Sequence, residues 1–179
     1  MKRFLFLILI VSFNISASDE GIQQWVYNTL ERAQANLDKG NIEAAEKIYY
    51  DYANDTWSSR SYDHFVFLRT YAYFLLSFDR NEEALRYLKQ ASLKRDMPPY
   101  DIFELHFTLG QVYYVTGDRD NAKKTLLKWV EIGEKNKLDL KPEGYAILAT
   151  IYAQDEEWGN ALKFITLAID NSYRFVEDW

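Results

Sequence analysis

Along this chain apolar residues recur at spacings of three and four, in paired segments separated by short polar turns. Tyr71, Ala72 and Leu75 precede one turn, and Ala84, Leu88 and Ala91 follow it. Leu109, Gly110 and Tyr113 precede the next, at Gly117, with Ala122, Leu126 and Trp129 after it. Leu148, Ala149 and Tyr152 lead into a third turn, followed by Ala161, Ile165 and Ala168. Such spacing puts each trio on one face of a helix. An earlier pair is weaker. Val26, Leu30, Ala33 and Leu37 lead it, but Arg32 and Asn36 stand where core residues belong. The pattern predicts an all-α chain of about four helix–turn–helix units, near residues 22–54, 61–95, 100–134 and 141–170. Residues 171–179 are either a C-terminal cap or the start of a further helix.

The turns repeat as well. Lys39-Gly-Asn-Ile-Glu-Ala-Ala45, Phe78-Asp-Arg-Asn-Glu-Glu-Ala84, Thr116-Gly-Asp-Arg-Asp-Asn-Ala122 and Asp155-Glu-Glu-Trp-Gly-Asn-Ala161 each join a polar turn to a helix start and an alanine. The alanines Ala45, Ala84, Ala122 and Ala161 fall at intervals of 39, 38 and 39 residues. A small residue also recurs in the leading helix, at Ala72, Gly110 and Ala149. The two small positions predict a close, small-to-small helix crossing inside each hairpin.

The small, large and alanine positions, in this order around a helix–turn–helix, resemble the tetratricopeptide (TPR) repeat signature. The likeness covers roughly residues 22–170, and the period is four or five residues longer than the usual 34. The surplus falls between units, near Thr56–Ser61, Arg95–Pro99 and Lys135–Pro142. The resemblance implies a superhelical solenoid whose leading helices line a concave groove, the first unit serving as a polar-edged cap. Carried over by position, the groove liners are Tyr27, Leu30 and Gln34; Val66, Arg69, Tyr73 and Leu76; Glu104, Phe107, Gln111 and Tyr114; and Glu143, Ala146 and Thr150. Two readings of Tyr73, Phe107 and Tyr114 stand: solvent-facing anchors for a bound peptide, or rings packed against neighbouring helices.

The start of the chain reads differently. Met1-Lys2-Arg3, an apolar run from Phe4 to Phe13, and Ser16-Ala17-Ser18 follow the order of a secretory signal peptide, expected to be removed as residues 1–18 and leaving 19–179 as the repeat domain. The alternative, an uncleaved anchor, meets the difficulty that ten apolar residues are short for a bilayer. Losing Lys2 and Arg3 takes the net charge from −6 to near −8, which repels nucleic acid and anionic headgroups. The 179 residues include no cysteine, so an exported form is held by packing alone. A bacterial periplasm fits this better than a eukaryotic extracellular space. The triplet Asn54-Asp55-Thr56 matches a glycosylation sequon of low specificity. With 7 Gly, 3 Pro and 30 aromatic residues (14 Tyr, 11 Phe, 5 Trp), long helices with bulky cores are expected.

Chemistry is sparse. There is no thiol nucleophile or thiolate metal site. His106 falls on an interior helix position and His64 near a helix start, 42 residues apart and outside any catalytic motif. The Glu82-Glu83 and Glu156-Glu157 pairs lie at helix starts, where they complement the dipole. Asp118 and Asp120 do not complete a calcium loop. Basic residues are interleaved with acids rather than striped. No catalytic residue, metal or cofactor is expected.

Within the repeat class, the run Ile102–Glu134, with its Leu109-Gly110-Gln111 helix and Trp129, resembles the periplasmic TPR proteins associated with TonB–ExbB–ExbD systems of Gram-negative bacteria. The Tyr71-Ala72-Tyr73 helix, Pro98-Pro99, and Ala149, Tyr152 and Leu167-Ala168 share that likeness. It implies a non-enzymatic periplasmic scaffold with no membrane span after cleavage. Its groove would hold a segment of a TonB, ExbB or ExbD homologue. An adaptor of envelope assembly or secretion machinery would read the same way. An enzyme or ligand receptor would need a deep pocket with converging polar groups.

Overall fold

The computed structural model describes residues 21–55 and 61–177, with side chains to residue 172. The expected signal peptide, residues 1–18, lies outside the described residues. Eight helices follow in order: α1 (Gln24–Asp38), α2 (Ile42–Ala53), α3 (Ser61–Ser77), α4 (Asn81–Ser92), α5 (Pro99–Val115), α6 (Arg119–Asn136), α7 (Pro142–Gln154) and α8 (Trp158–Glu177). They pair as hairpins α1–α2, α3–α4, α5–α6 and α7–α8, and each hairpin packs on the next. Among the described residues no helix is long and apolar enough to cross a membrane.

One turn is used four times. Gly40, Asp79, Gly117 and Glu156 have φ of 76°, 58°, 85° and 60°, all left-handed. The N–H of the following residue reaches back five positions: Asn41 to Asn36 (2.8 Å), Arg80 to Leu75 (3.0 Å), Asp118 to Tyr113 (2.9 Å) and Glu157 to Tyr152 (2.9 Å). This is the Schellman closure that satisfies the orphan carbonyls of a helix end. The carbonyls of Asn41, Arg80, Asp118 and Glu157 then accept from the N–H of Ala45, Ala84, Ala122 and Ala161, starting the second helix. The recurring alanine is thus fixed four residues after the turn, where all four are buried. Pro99 and Pro142 open α5 and α7 at first-turn positions that need no N–H.

The core falls into two clusters, and Ile147 on α7 packs against both. Its largest buried side chain is Trp129 on α6, ringed by Phe103, Phe107 and Tyr145 at centroid distances of 5.6, 5.2 and 5.7 Å. α7 admits this indole at Gly144, where an added Cβ would stand 2.4 Å from a Trp129 ring carbon. Gly110 works similarly: its notch receives Leu126, with an added Cβ 2.6 Å from Leu126 Cγ. The α5–α6 crossing thus seats a large side chain, Leu126, in the Gly110 notch, a contact the spacing did not suggest. Ala72 and Ala149 are buried in the corresponding places.

Two further expectations change. α8 continues without a break to Glu177, so residues 171–177 extend the fourth unit's own second helix. Ile165, grouped with Ala161 and Ala168 as core, is 41% exposed. Its equivalents Leu88 and Leu126 are fully buried, and Tyr49, at the same position in α2, packs on Phe74 of the following hairpin.

Candidate functional site

Side chains tie the leading helices α1, α3, α5 and α7 to one another, so these four helices form one continuous face. The Gln23 N–H donates to Asp63 Oδ1 across α1 and α3 at 3.3 Å. Between α3 and α5, the Tyr62 hydroxyl donates to Asp101 (2.9 Å), the Arg69 guanidinium pairs with the same carboxylate, and the Tyr73 hydroxyl meets Thr108 Oγ1 at 3.3 Å. Between α5 and α7, Lys141 donates to Glu104 (2.7 Å) with its ammonium over the Phe107 ring. The second helices reach forward instead, into the turn of the next unit. Arg80 bridges Glu46 and Glu83. Lys123 holds Asp155 at 2.7 Å and Glu157 at 3.0 Å.

The expected groove residues divide accordingly. Tyr27 is 39% exposed, and its hydrogen bond to the Glu31 carboxylate holds the phenol above its ordinary range. Gln34, Glu143 and Thr150 are also exposed, while Gln111 and Ala146 are half-buried. Leu30, Val66 and Phe107 are corrected: all three are buried in the core. Phe107 packs on Trp129 from one side and under Lys141 from the other, which leaves 4% of it exposed. Tyr73, Tyr114 and Leu76 are half-buried against the core, and the Tyr73 hydroxyl is engaged with Thr108. Arg69 and Glu104 are each spent on an ion pair between units, with Asp101 and with Lys141, rather than presented to a ligand.

Burial, and then the hydrogen bond to Asp101, push the Tyr62 phenol up to about 12. Sequence spacing missed this junction, because Asp101 follows Pro98-Pro99 and reads as a helix-start acid. It also missed Tyr100, 52% exposed at the start of α5. Both histidines serve the scaffold. Lys94 donates to His64 Nδ1 at 2.8 Å, which leaves the Nε2–H to donate to the Ala53 carbonyl at 3.0 Å. His106 Nδ1 lies 2.8 Å from the Ile102 carbonyl, half-buried rather than enclosed. Among the described residues no group of three or more His, Asp and Glu could hold a metal ion.

No family model and no curated protein matches the chain. Solved structures do. MamA aligns with a TM-score of 0.64 at 18% identity, over 85% of this chain and 81% of that one. The TPR-like repeats of the kinesin light chain from Podosopora anserina align at 0.60 and 17%, over 85% and 76%. The apo form of RapI aligns at 0.60 and 17%, over 85% of this chain and 54% of the longer RapI chain. At these identities the likeness establishes architecture and not activity. Eight helices in four stacked hairpins, joined by one repeated left-handed turn and superposable on these proteins, give this chain the TPR-type helical solenoid fold.

Proposed function

We propose that this protein is a non-enzymatic scaffold that binds a protein partner along the face of α1, α3, α5 and α7. The observation that carries the reading is this continuous face. Its hydroxyl, amide and carboxylate groups at Tyr27, Gln34, Gln111, Glu143 and Thr150 remain accessible, while the bonds between units hold its backbone fixed. A preformed face loses little freedom on binding, which favours capture of an extended or helical segment. The protein acts in the periplasm, exported by residues 1–18, as an accessory of a TonB–ExbB–ExbD complex. There, docking would set the position of one component between the two membranes. The run Ile102–Glu134 supports this finer assignment.

Affinity capture of the protein from a crosslinked Gram-negative envelope, read by mass spectrometry, tests it. Recovery of TonB, ExbB or ExbD homologues is expected. Recovery of secretion or envelope-assembly components without them would move the protein to the alternative, an adaptor of that machinery. Retention of all of the protein in the cytosol, with the first 18 residues intact, would contradict the periplasmic assignment.

A further inference from the structure

Charge is not shared evenly between the two sets of helices. The second helices α2, α4, α6 and α8 carry ten carboxylates and ten Lys or Arg side chains. The leading helices carry six carboxylates, Glu31, Asp38, Asp63, Asp101, Glu104 and Glu143, against Arg32 and Arg69 alone. Neither cation offsets this surplus where a partner would lie. Arg32 stands on the outer side of α1, at the position from which Tyr71 in the next unit reaches back to Glu46. Arg69 is taken by Asp101, and Lys141, just ahead of α7, by Glu104. Glu31, Asp38 and Glu143 are exposed. Glu31 accepts from the Tyr27 hydroxyl and Asp38 from the Gln34 amide at 2.8 Å, both neutral donors. Among the described residues no Lys or Arg pairs with any of the three.

The fold also shows how it seats a cation. Three of the cations that join successive units sit on a carboxylate and over a ring at once. Arg69 pairs with Asp101 and lies 5.2 Å from the Phe65 centroid. Lys141 pairs with Glu104 and lies 4.6 Å from Phe107. Lys123 pairs with Asp155 and lies 4.5 Å from Tyr152. Such a seat combines Coulomb attraction with the negative face of the ring. Two rings on the leading-helix face stand beside carboxylates with no cation over them. Tyr27 is 39% exposed against Glu31. Tyr100 is 52% exposed beside Glu104, and burial, then the Glu104 charge, hold its phenol above the ordinary range.

We infer, on the strength of the scaffold reading above, that the segment held on this face is basic, a stretch of chain carrying Lys or Arg. One cation over Tyr27 and beside Glu31 would repeat the seat that Lys141 occupies over Phe107 and beside Glu104. A second would lie over Tyr100. Arg suits both better than Lys, because a planar guanidinium stacks on a ring and still forks to a carboxylate. An acidic segment would instead meet like charge along α1, α5 and α7, with Arg69 and Lys141 already engaged. The unbalanced field of the face also steers a basic segment toward it and away from the balanced second helices.

Selection from a phage-displayed random library of peptides about twelve residues long, with the purified protein as bait, tests the charge of the occupant. Enrichment in Lys and Arg is expected. Fluorescence anisotropy of the best peptide should show affinity falling at least tenfold between about 50 and 300 mM NaCl. It should also fall roughly tenfold in Glu31→Gln/Glu143→Gln. Glu43→Gln/Glu134→Gln removes the same charge from α2 and α6 and should change affinity less than about twofold. Tyr100→Leu should weaken binding, and Tyr50→Leu on α2 should not. All these side chains are exposed, so helical circular dichroism should be unchanged in every variant. Neutral or acidic winners, no enrichment, or basic winners that respond equally to the two Glu→Gln pairs would each overturn the inference. Neutral or acidic winners that crosslink through Gln34 or Gln111 would leave the scaffold reading standing, whereas winners that contact only the second helices would remove both.

Discussion

Gly144 and Trp129 set the tightest residue-level constraint. A Cβ at Gly144 would meet indole ring carbons at 2.4 and 2.6 Å, and the indole is enclosed by three rings, so it has little room to shift. Gly144→Ala is expected to cost about 1–3 kcal/mol by overpacking. The midpoint of denaturant unfolding measures this. At the turns the sign reverses. Glu156 holds φ 60°, where an L side chain costs roughly 1–2 kcal/mol and glycine is spared this but loses more chain entropy. Glu156→Gly should raise stability by about 0.5–1 kcal/mol, whereas Gly117→Ala should lower it. A thermal scan distinguishes the two. His106 supplies a pH dependence. Burial holds its imidazole below the ordinary value, so below about pH 6.5 the unfolded chain takes up a proton that the folded chain resists. Stability therefore falls as pH drops below that point. The loss between pH 7.5 and 5.5 should shrink in His106→Gln, measured by urea titration at each pH. The recurring alanines and Gly117 were legible from spacing, because their roles follow from a local turn. The burial of Phe107 was not, since it depends on Trp129 and Lys141, distant in sequence and brought in by two other helices.

At the level of elements, the hairpins were legible because each is closed by contacts only a few residues apart. The bonds between leading helices span 32–40 residues and leave no local signature. Arg69 and Asp101 show the consequence. Position alone placed Arg69 in a groove, and the structure spends it holding α3 to α5, with side chains 18% and 11% exposed. Removing one partner strands the other in a poorly hydrated place. Arg69→Ala should cost about 3 kcal/mol, and Arg69→Ala/Asp101→Ala less than the sum of the two single changes. A double-mutant cycle measures that coupling. α8 shows the other limit of periodicity. The spacing of Ala161, Ile165 and Ala168 is the same as in buried helices, yet Ile165 is 41% exposed, because its burial depends on neighbouring elements that spacing does not encode.

For the whole molecule, repetition matters most. One hairpin cannot bury its apolar face, and four stacked hairpins bury theirs against one another while presenting four leading helices side by side. That face is the basis of the proposed function, and its accessible residues can be probed without disturbing the core. A photoreactive amino acid at Gln34, Gln111 or Thr150, in cells of a Gram-negative host carrying the partner system, should crosslink one discrete partner. The same probe at Lys89 or Lys124, exposed on α4 and α6, should not. Crosslinks confined to the leading-helix positions are the predicted result. Crosslinks only from α4 and α6, or none from any leading helix, would contradict the scaffold account.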